Sequence, residues 1–104
     1  MTRQIGSMYV NSGLAEWAMA VTGGDADRAE RALLDLQTEV NRRLNSGRAH
    51  STEGDTAYID MPTGYGVRAG MTPDEWDALL VEVSGQIAAK YGGSRTIGWE
   101  GLSA

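Results

Sequence analysis

The single histidine of the chain, His50, is the residue on which any imidazole chemistry would depend. Glu53 and Asp55 follow it closely, and Asp60 comes shortly after them. A histidine beside carboxylates can act as a general base or bind a divalent metal together with them. No second histidine and no cysteine is present, so the ligand spacing of a zinc site is missing. We interpret His50 as a solvated loop residue, with ligand binding as the alternative, and predict neither a metal nor a cofactor.

A glycine-rich run, residues 64–70, precedes a well-capped helix start at Thr72. The amino ends of helices attract anions, and Arg68 is placed to bind one. The run lacks the Lys-Ser/Thr of a P-loop and the strand–helix spacing of a dinucleotide fingerprint. We therefore interpret it as a flexible hairpin in which Tyr65 and Arg68 are candidate partner-binding residues, and anion binding is the alternative.

Three tryptophans occur in a chain that has no phenylalanine. Trp17 and Trp76 lie at helical spacing with other apolar residues, which predicts that both belong to the core. Trp99 lies near the end of the sequence between glycines, where it either closes over the sheet or is exposed. An exposed tryptophan is a strong anchor for a partner, so Trp99 is also a candidate partner-binding residue.

The charge of the chain restricts its partners. The sequence of 104 residues carries 14 acidic and nine basic side chains, for a formal net charge of −5. This sign opposes a phosphate backbone, which is bound mainly through Lys and Arg, and the basic residues are dispersed. Nucleic acid is therefore a disfavoured partner. Eight of the nine basic residues are arginine, a usage typical of high-GC genomes, and we expect a bacterial or phage source.

Length and hydropathy favour one compact unit. A chain of this size can bury roughly 65% of its extended surface, which suffices for a single domain over residues 1–104. No apolar run approaches the roughly 20 residues of a membrane span, and the first residues lack the pattern of a secretion signal. We expect no membrane association and a cytoplasmic location, or a place in the virion if the source is a phage.

Three helices are predicted from periodicity and capping. The first begins after Asn11, is apolar on nearly all sides and ends at Gly23-Gly24. The second is capped by Asp25, has one apolar face and runs to the arginines at 42 and 43. The third begins at a capping box formed by Thr72 and Glu75 and ends at Gly92-Gly93. Each has start and stop residues that agree with its apolar stripe.

Four strands complete the prediction: residues 4–10, 56–61, 65–68 and 95–100. Without the short first helix, the order is the βαββαβ of ferredoxin-like folds, in which two helices cover one face of a sheet. We therefore predict a small two-layer α+β domain with an extra short helix. The alternative is a mainly helical domain with one β-hairpin, which applies if the terminal strands do not form.

The third helix carries a second face of small residues opposite its core stripe, with Ala78, Gly85 and Ala89 among them. Glycine inside a helix costs about 1 kcal/mol relative to alanine, and small residues let another backbone approach closely. One interpretation is that the first helix packs on this face. The other is that the face binds a second copy or a protein partner, and Ala78, Gly85 and Ala89 are then contact residues.

We predict from these observations a non-enzymatic interaction or assembly subunit that self-associates or binds a protein partner. The alternative is a small-ligand-binding protein or small enzyme with a pocket between sheet and helices. That pocket would use Tyr58, Tyr65 and Arg68, and also His50. A closed cavity lined by these side chains favours the ligand, whereas a flat apolar patch favours the partner.

Overall fold

A computed structural model describes residues 2–44, 58–60, 65–67 and 72–98. Its helices and strands, in chain order, are β1 (Thr2–Ile5), β2 (Met8–Asn11), α1 (Ser12–Val21), α2 (Ala26–Leu44), β3 (Tyr58–Asp60), β4 (Tyr65–Val67) and α3 (Pro73–Lys90). This is a mixed α/β arrangement, as predicted. Within the described ranges, every helix is too short or too polar to cross a membrane.

The first strand predicted from the sequence is wrong, because residues 2–11 form a hairpin instead. β1 and β2 pair antiparallel in a register that opposes Thr2 to Asn11 and Ile5 to Met8. Gly6 has a φ of +58° at the first position of the two-residue turn, as type II′ turns require. The Glu30 carboxylate accepts a hydrogen bond from Ser7 Oγ at 2.9 Å and fills the space where a side chain at position 6 would lie.

The three predicted helices are confirmed. The Asn11 side chain accepts the Gly13 N–H at 2.8 Å and caps α1, while Asp25 Oδ1 accepts the N–H groups of Asp27 and Arg28 at the start of α2. Thr72 and Glu75 form both halves of the capping box at α3. These caps satisfy helix N–H groups that have no partner within the helix, so local sequence alone sets where each helix begins.

The core lies between the three helices and the β1–β2 hairpin. α1 packs on α2 and on both strands of the hairpin, and α2 packs on α3. The nearly uniform apolarity of α1 is explained by this burial. The largest fully buried side chains are Trp17, Leu14, Leu33, Leu36, Leu80, Val10, Val40 and Val83, together with Ser84.

Residues 93–98 follow α3 without forming a helix or strand, so the strand predicted over residues 95–100 is wrong for residues 95–98, and its last two residues lie outside the described part of the chain. We call residues 93–98 the strap. Gly93 donates to the Ala88 carbonyl at 2.8 Å, and Gly98 lies against Asp77 at the other end of α3. Ala88 and Asp77 are about 16 Å apart along the helix axis. The five residue-to-residue steps from Gly93 to Gly98 cover this distance at about 3.3 Å each, which is the rise per residue of an extended chain. The strap is therefore extended.

The strands form two separate two-stranded sheets, so the ferredoxin-like order is not confirmed. β3 pairs with β4 in a register that opposes Asp60 to Tyr65, which confirms the predicted hairpin over its described residues. β1 pairs only with β2 among the residues described. A single sheet covered by two helices is therefore absent from this part of the chain, and the helices pack on one another instead.

Candidate functional site

A pocket of about 410 Å³ opens between the start of α1 and the strap. We call it the strap pocket. α1 contributes residues of its first turns, and the strap contributes residues 95–98. The lining residues are Gly13, Glu16, Trp17, Arg95, Thr96, Ile97 and Gly98.

The strap is held in place by two buried side chains. Trp17 Nε1 donates to the Arg95 carbonyl at 2.8 Å. Ser84 Oγ, fully buried on α3, accepts the Ile97 N–H at 2.9 Å and lies 3.3 Å from the Ile97 carbonyl, to which it can donate. The Ile97 side chain adds apolar burial. One tryptophan and one serine thus fix the main chain at alternate strap residues, 95 and 97.

The rim of the strap pocket carries an ion pair. Arg95 Nη2 lies 3.1 Å from Glu16 Oε1, and both side chains are more than half exposed. A pair with this exposure contributes little to stability because water screens it. Each of these two side chains can therefore leave its partner and pair with a charged group of a ligand at a small cost in free energy.

The strap also explains the glycine in the middle of α3. A Cβ on Gly85 would lie 3.2 Å from the Thr96 methyl group, closer than most real contacts. The interpretation in which α1 packs on this face is therefore not what the structure shows: the strap lies beside Gly85. Ala78 and Ala89 remain exposed, and Val81 beside them is 39% exposed.

The other sequence-predicted site residues lie wholly or partly outside the description. The main chains of Tyr58 and Tyr65 belong to the β3–β4 hairpin, but their side chains are not among those described. Arg68, His50 and Trp99 lie outside the described residues altogether. The predicted roles of these five residues stay predictions, and so does a ligand pocket built from Tyr58, Tyr65, Arg68 and His50.

Residues 2–44, 58–60, 65–67 and 72–98 contain no group of three or more His, Asp or Glu side chains placed to hold a metal ion. Comparison of the chain with protein-family models, with curated proteins and with solved structures found no match.

The side chains whose pKa values are shifted lie away from the strap pocket, where α2 packs against α3. Asp35 on α2 accepts hydrogen bonds from the Tyr91 hydroxyl at 2.7 Å and from Lys90 Nζ at 2.9 Å. Burial by itself raises the pKa of Asp35, but these two bonds and the nearby positive charges outweigh it and hold the pKa below its usual value. Burial and the Asp35 carboxylate raise the pKa of Tyr91. The Arg28 guanidinium lies over the Tyr91 ring, 5.5 Å from its centre, so the group joins both helices.

A second ionic group links the end of α2 to the middle of α3. Glu39 accepts hydrogen bonds from Arg42 and Arg43, which lower the pKa of Glu39 to about 2. Arg43 also lies 3.2 Å from Glu82 on α3 and donates to Gln86. Arg42 and Glu82 are exposed, whereas Glu39 and Arg43 are half-buried. Because all four are already paired, they join α2 to α3 rather than provide a reactive centre.

We expect the Asp35 contact to weaken in acid. Its pKa is lower in the folded chain than in the unfolded one, so its contribution is present above the unfolded pKa of about 3.9 and is lost as the pH falls through the folded value. Asp35→Asn should therefore reduce the free energy of unfolding at neutral pH and flatten its decline below about pH 4. Urea unfolding from pH 2 to 7 measures this, with Asp27→Asn, an exposed carboxylate on the same helix, as the control. Parallel pH profiles for wild type and Asp35→Asn would contradict it.

Sequence reasoning missed Glu16, Ser84 and the strap residues Arg95 and Thr96. The available signal was weak: a serine in the apolar part of α3 beside Gly85, and glycines at both ends of residues 93–98. Neither feature says where the strap lies, because its partners on α1 are more than 70 residues away along the chain.

Proposed function

We propose that the protein is a non-enzymatic assembly subunit that self-associates through the outward face of α3. The exposure of Ala78, Val81 and Ala89 on one side of that helix supports this proposal. Three apolar side chains in water on one helix face lose solvent contact when a second surface covers them. The strap crosses the same face at Gly85, so a second copy would contact Ala78, Ala89 and the strap together.

Charge favours a second copy as the occupant of this face. α3 has acidic residues in its first turn, Asp74 and Glu75, and a basic residue in its last turn, Lys90. When two such helices lie antiparallel, the acidic start of each is near the basic end of the other, and their dipoles also attract. A two-fold symmetric pair makes this contact twice. We place such an assembly in the cytoplasm of a bacterial cell or in a phage particle.

We expect Ala78→Glu combined with Ala89→Glu to abolish self-association while the fold is retained. In a symmetric dimer, the change buries four like charges in the interface. In the monomer, each glutamate lies in water, where a substitution usually changes the free energy of unfolding by no more than about 0.5 kcal/mol. Size-exclusion chromatography with light scattering, over a range of concentrations, measures the mass, and circular dichroism measures folding.

The matched control is Ala20→Glu combined with Ala26→Glu, which adds the same charge at two exposed alanines on α1 and α2. It should associate as the wild type does. A wild-type protein that stays monomeric at every concentration contradicts self-association and leaves a different protein partner as the occupant. Dissociation of both double variants would assign the effect to net charge and not to α3.

A further inference from the structure

The strap leaves α3 through a reversal of the chain at Gly92. Gly92 has a φ of +84°, in the left-handed region that favours glycine. The Gly92 N–H donates to the Ala89 carbonyl at 3.2 Å and the Gly93 N–H to the Ala88 carbonyl at 2.8 Å, which is the Schellman motif. This motif turns the chain back along the helix. If Gly92 took helical angles instead, α3 would continue past it and carry the strap away from α1.

The surface under the strap is shaped for this particular segment. Trp17 and Ser84 pair with the main chain of strap residues 95 and 97, and Ile97 is the one strap residue that is buried. Gly85 leaves room for the Thr96 methyl group. We call Trp17, Ser84 and Gly85 the strap groove. A second copy of the chain carries an identical strap, which therefore fits the same groove.

We propose that the strap exchanges between two copies of the chain, with residues 93–98 of each copy lying in the strap groove of the other. Such a domain-swapped pair repeats the contacts between strap and groove, since the interacting residues are the same. The hinge at Gly92 and the entropy lost on association therefore decide between the closed and exchanged forms. Exchange requires no contact through Ala78 and Ala89, so it goes beyond the association proposed above and does not depend on it.

The closed strap sets the conditions under which exchange occurs. It competes for the groove as a tethered segment, whose effective concentration is of millimolar order for a short link. We therefore expect the exchanged pair in concentrated protein and the closed monomer on dilution.

The test is disulfide trapping, which is possible because the chain has no cysteine. A Cβ at Gly85 would lie 3.2 Å from the Thr96 methyl carbon, so cysteines at these two positions are close enough for a disulfide. Gly85→Cys and Thr96→Cys are prepared as separate proteins, mixed at about 1 mM, oxidised, and analysed by mass spectrometry without reducing agent. Exchange predicts that disulfides joining one variant to the other predominate. Mixed and like dimers in the statistical proportions of random collision, or the absence of dimers, would overturn the proposal.

A variant of the hinge tests the same proposal without altering the groove. A Cβ at Gly92 would meet no neighbouring described atom within 4 Å, so Gly92→Ala disfavours only the left-handed conformation, and alanine favours a continued helix. We expect its dimerisation constant, measured by light scattering, to rise at least about ten-fold. The matched control is Gly24→Ala, because Gly24 has a φ of +88° and equally open surroundings but lies between α1 and α2. It should leave the constant unchanged, and equal constants for the two variants would contradict exchange.

The same measurement separates exchange from association through α3. Gly92→Ala should raise the dimerisation constant by the same factor when it is added to the Ala78→Glu and Ala89→Glu variant. A rise that disappears in that background would show that the hinge acts through the outward face of α3, and would overturn exchange without contradicting self-association.

Discussion

The Ser84→Ala variant is expected to unfold with a free energy about 2 kcal/mol below that of the wild type. Ser84 Oγ accepts the Ile97 N–H at 2.9 Å, and its single proton lies within reach of two carbonyls, Val81 at 3.2 Å and Ile97 at 3.3 Å, in a position where no water reaches the serine. Alanine removes the hydroxyl and leaves the buried N–H of Ile97 without that partner. Each unpaired buried group costs about 1–3 kcal/mol. Urea unfolding measures the loss, and hydrogen exchange should show reduced protection of the Ile97 amide.

A second buried hydroxyl provides the control. Thr22 Oγ1 donates to the Ala18 carbonyl at 2.7 Å and lies near the carbonyls of Met19 and Asp25. The Met19 and Asp25 carbonyls each accept another hydrogen bond, from Gly24 and Ala29. Thr22→Val should therefore cost clearly less than Ser84→Ala. Similar costs for the two variants, or an Ile97 amide that stays protected in Ser84→Ala, would show that Ser84 does not hold the strap.

The two core tryptophans are expected to differ in their response to phenylalanine. Trp17 and Trp76 are both buried, so replacement by phenylalanine removes a similar volume from the core at each site. Trp17 Nε1 donates to the Arg95 carbonyl, whereas Trp76 Nε1 has no acceptor among the described residues. Trp17→Phe loses a hydrogen bond, while Trp76→Phe removes an unpaired buried donor. We expect Trp17→Phe to be less stable than Trp76→Phe by about 2 kcal/mol.

Thermal and urea unfolding of the two variants measure this difference directly, since each serves as the volume control for the other. Trp17→Phe should also expose the strap amides to hydrogen exchange, and Trp76→Phe should leave them protected. If Trp76→Phe is the less stable of the two, its indole N–H has a partner that contributes to folding. Equal stabilities would mean that the bond from Trp17 to Arg95 contributes nothing in solution.

The helices could be predicted because the information that defines them is local. The capping box of Thr72 and Glu75, the Asn11 and Asp25 caps and the glycines that follow α1 and α3 act within a few residues of the backbone they terminate. The amphipathic spacing of α2 likewise selects its buried face without reference to other segments. The β3–β4 hairpin was predictable for the same reason, since its strands are neighbours in the chain.

The errors occurred where short extended segments had to be assigned to a sheet. Residues 4–10 gave one apolar segment, and the turn at Gly6 was not recognised in it, although the positive φ of that residue is typical of hairpins. Residues 95–98 have the composition of a strand, but an extended segment becomes a strand only when another pairs with it. Whether such a partner exists depends on the whole fold.

The amino-acid sequence alone determined where the three helices begin and end, which faces of them are apolar, and that small residues occupy the outer face of α3. Only the tertiary structure decided that residues 93–98 lie across α1 and α3, that Gly85 accommodates Thr96 and that a pocket forms beside Trp17. The physical reason is the range of the interactions. Caps and periodicity act over one or two helical turns, whereas the bond from Trp17 to Arg95 joins residues 78 positions apart, and its energy is available only once the core has formed.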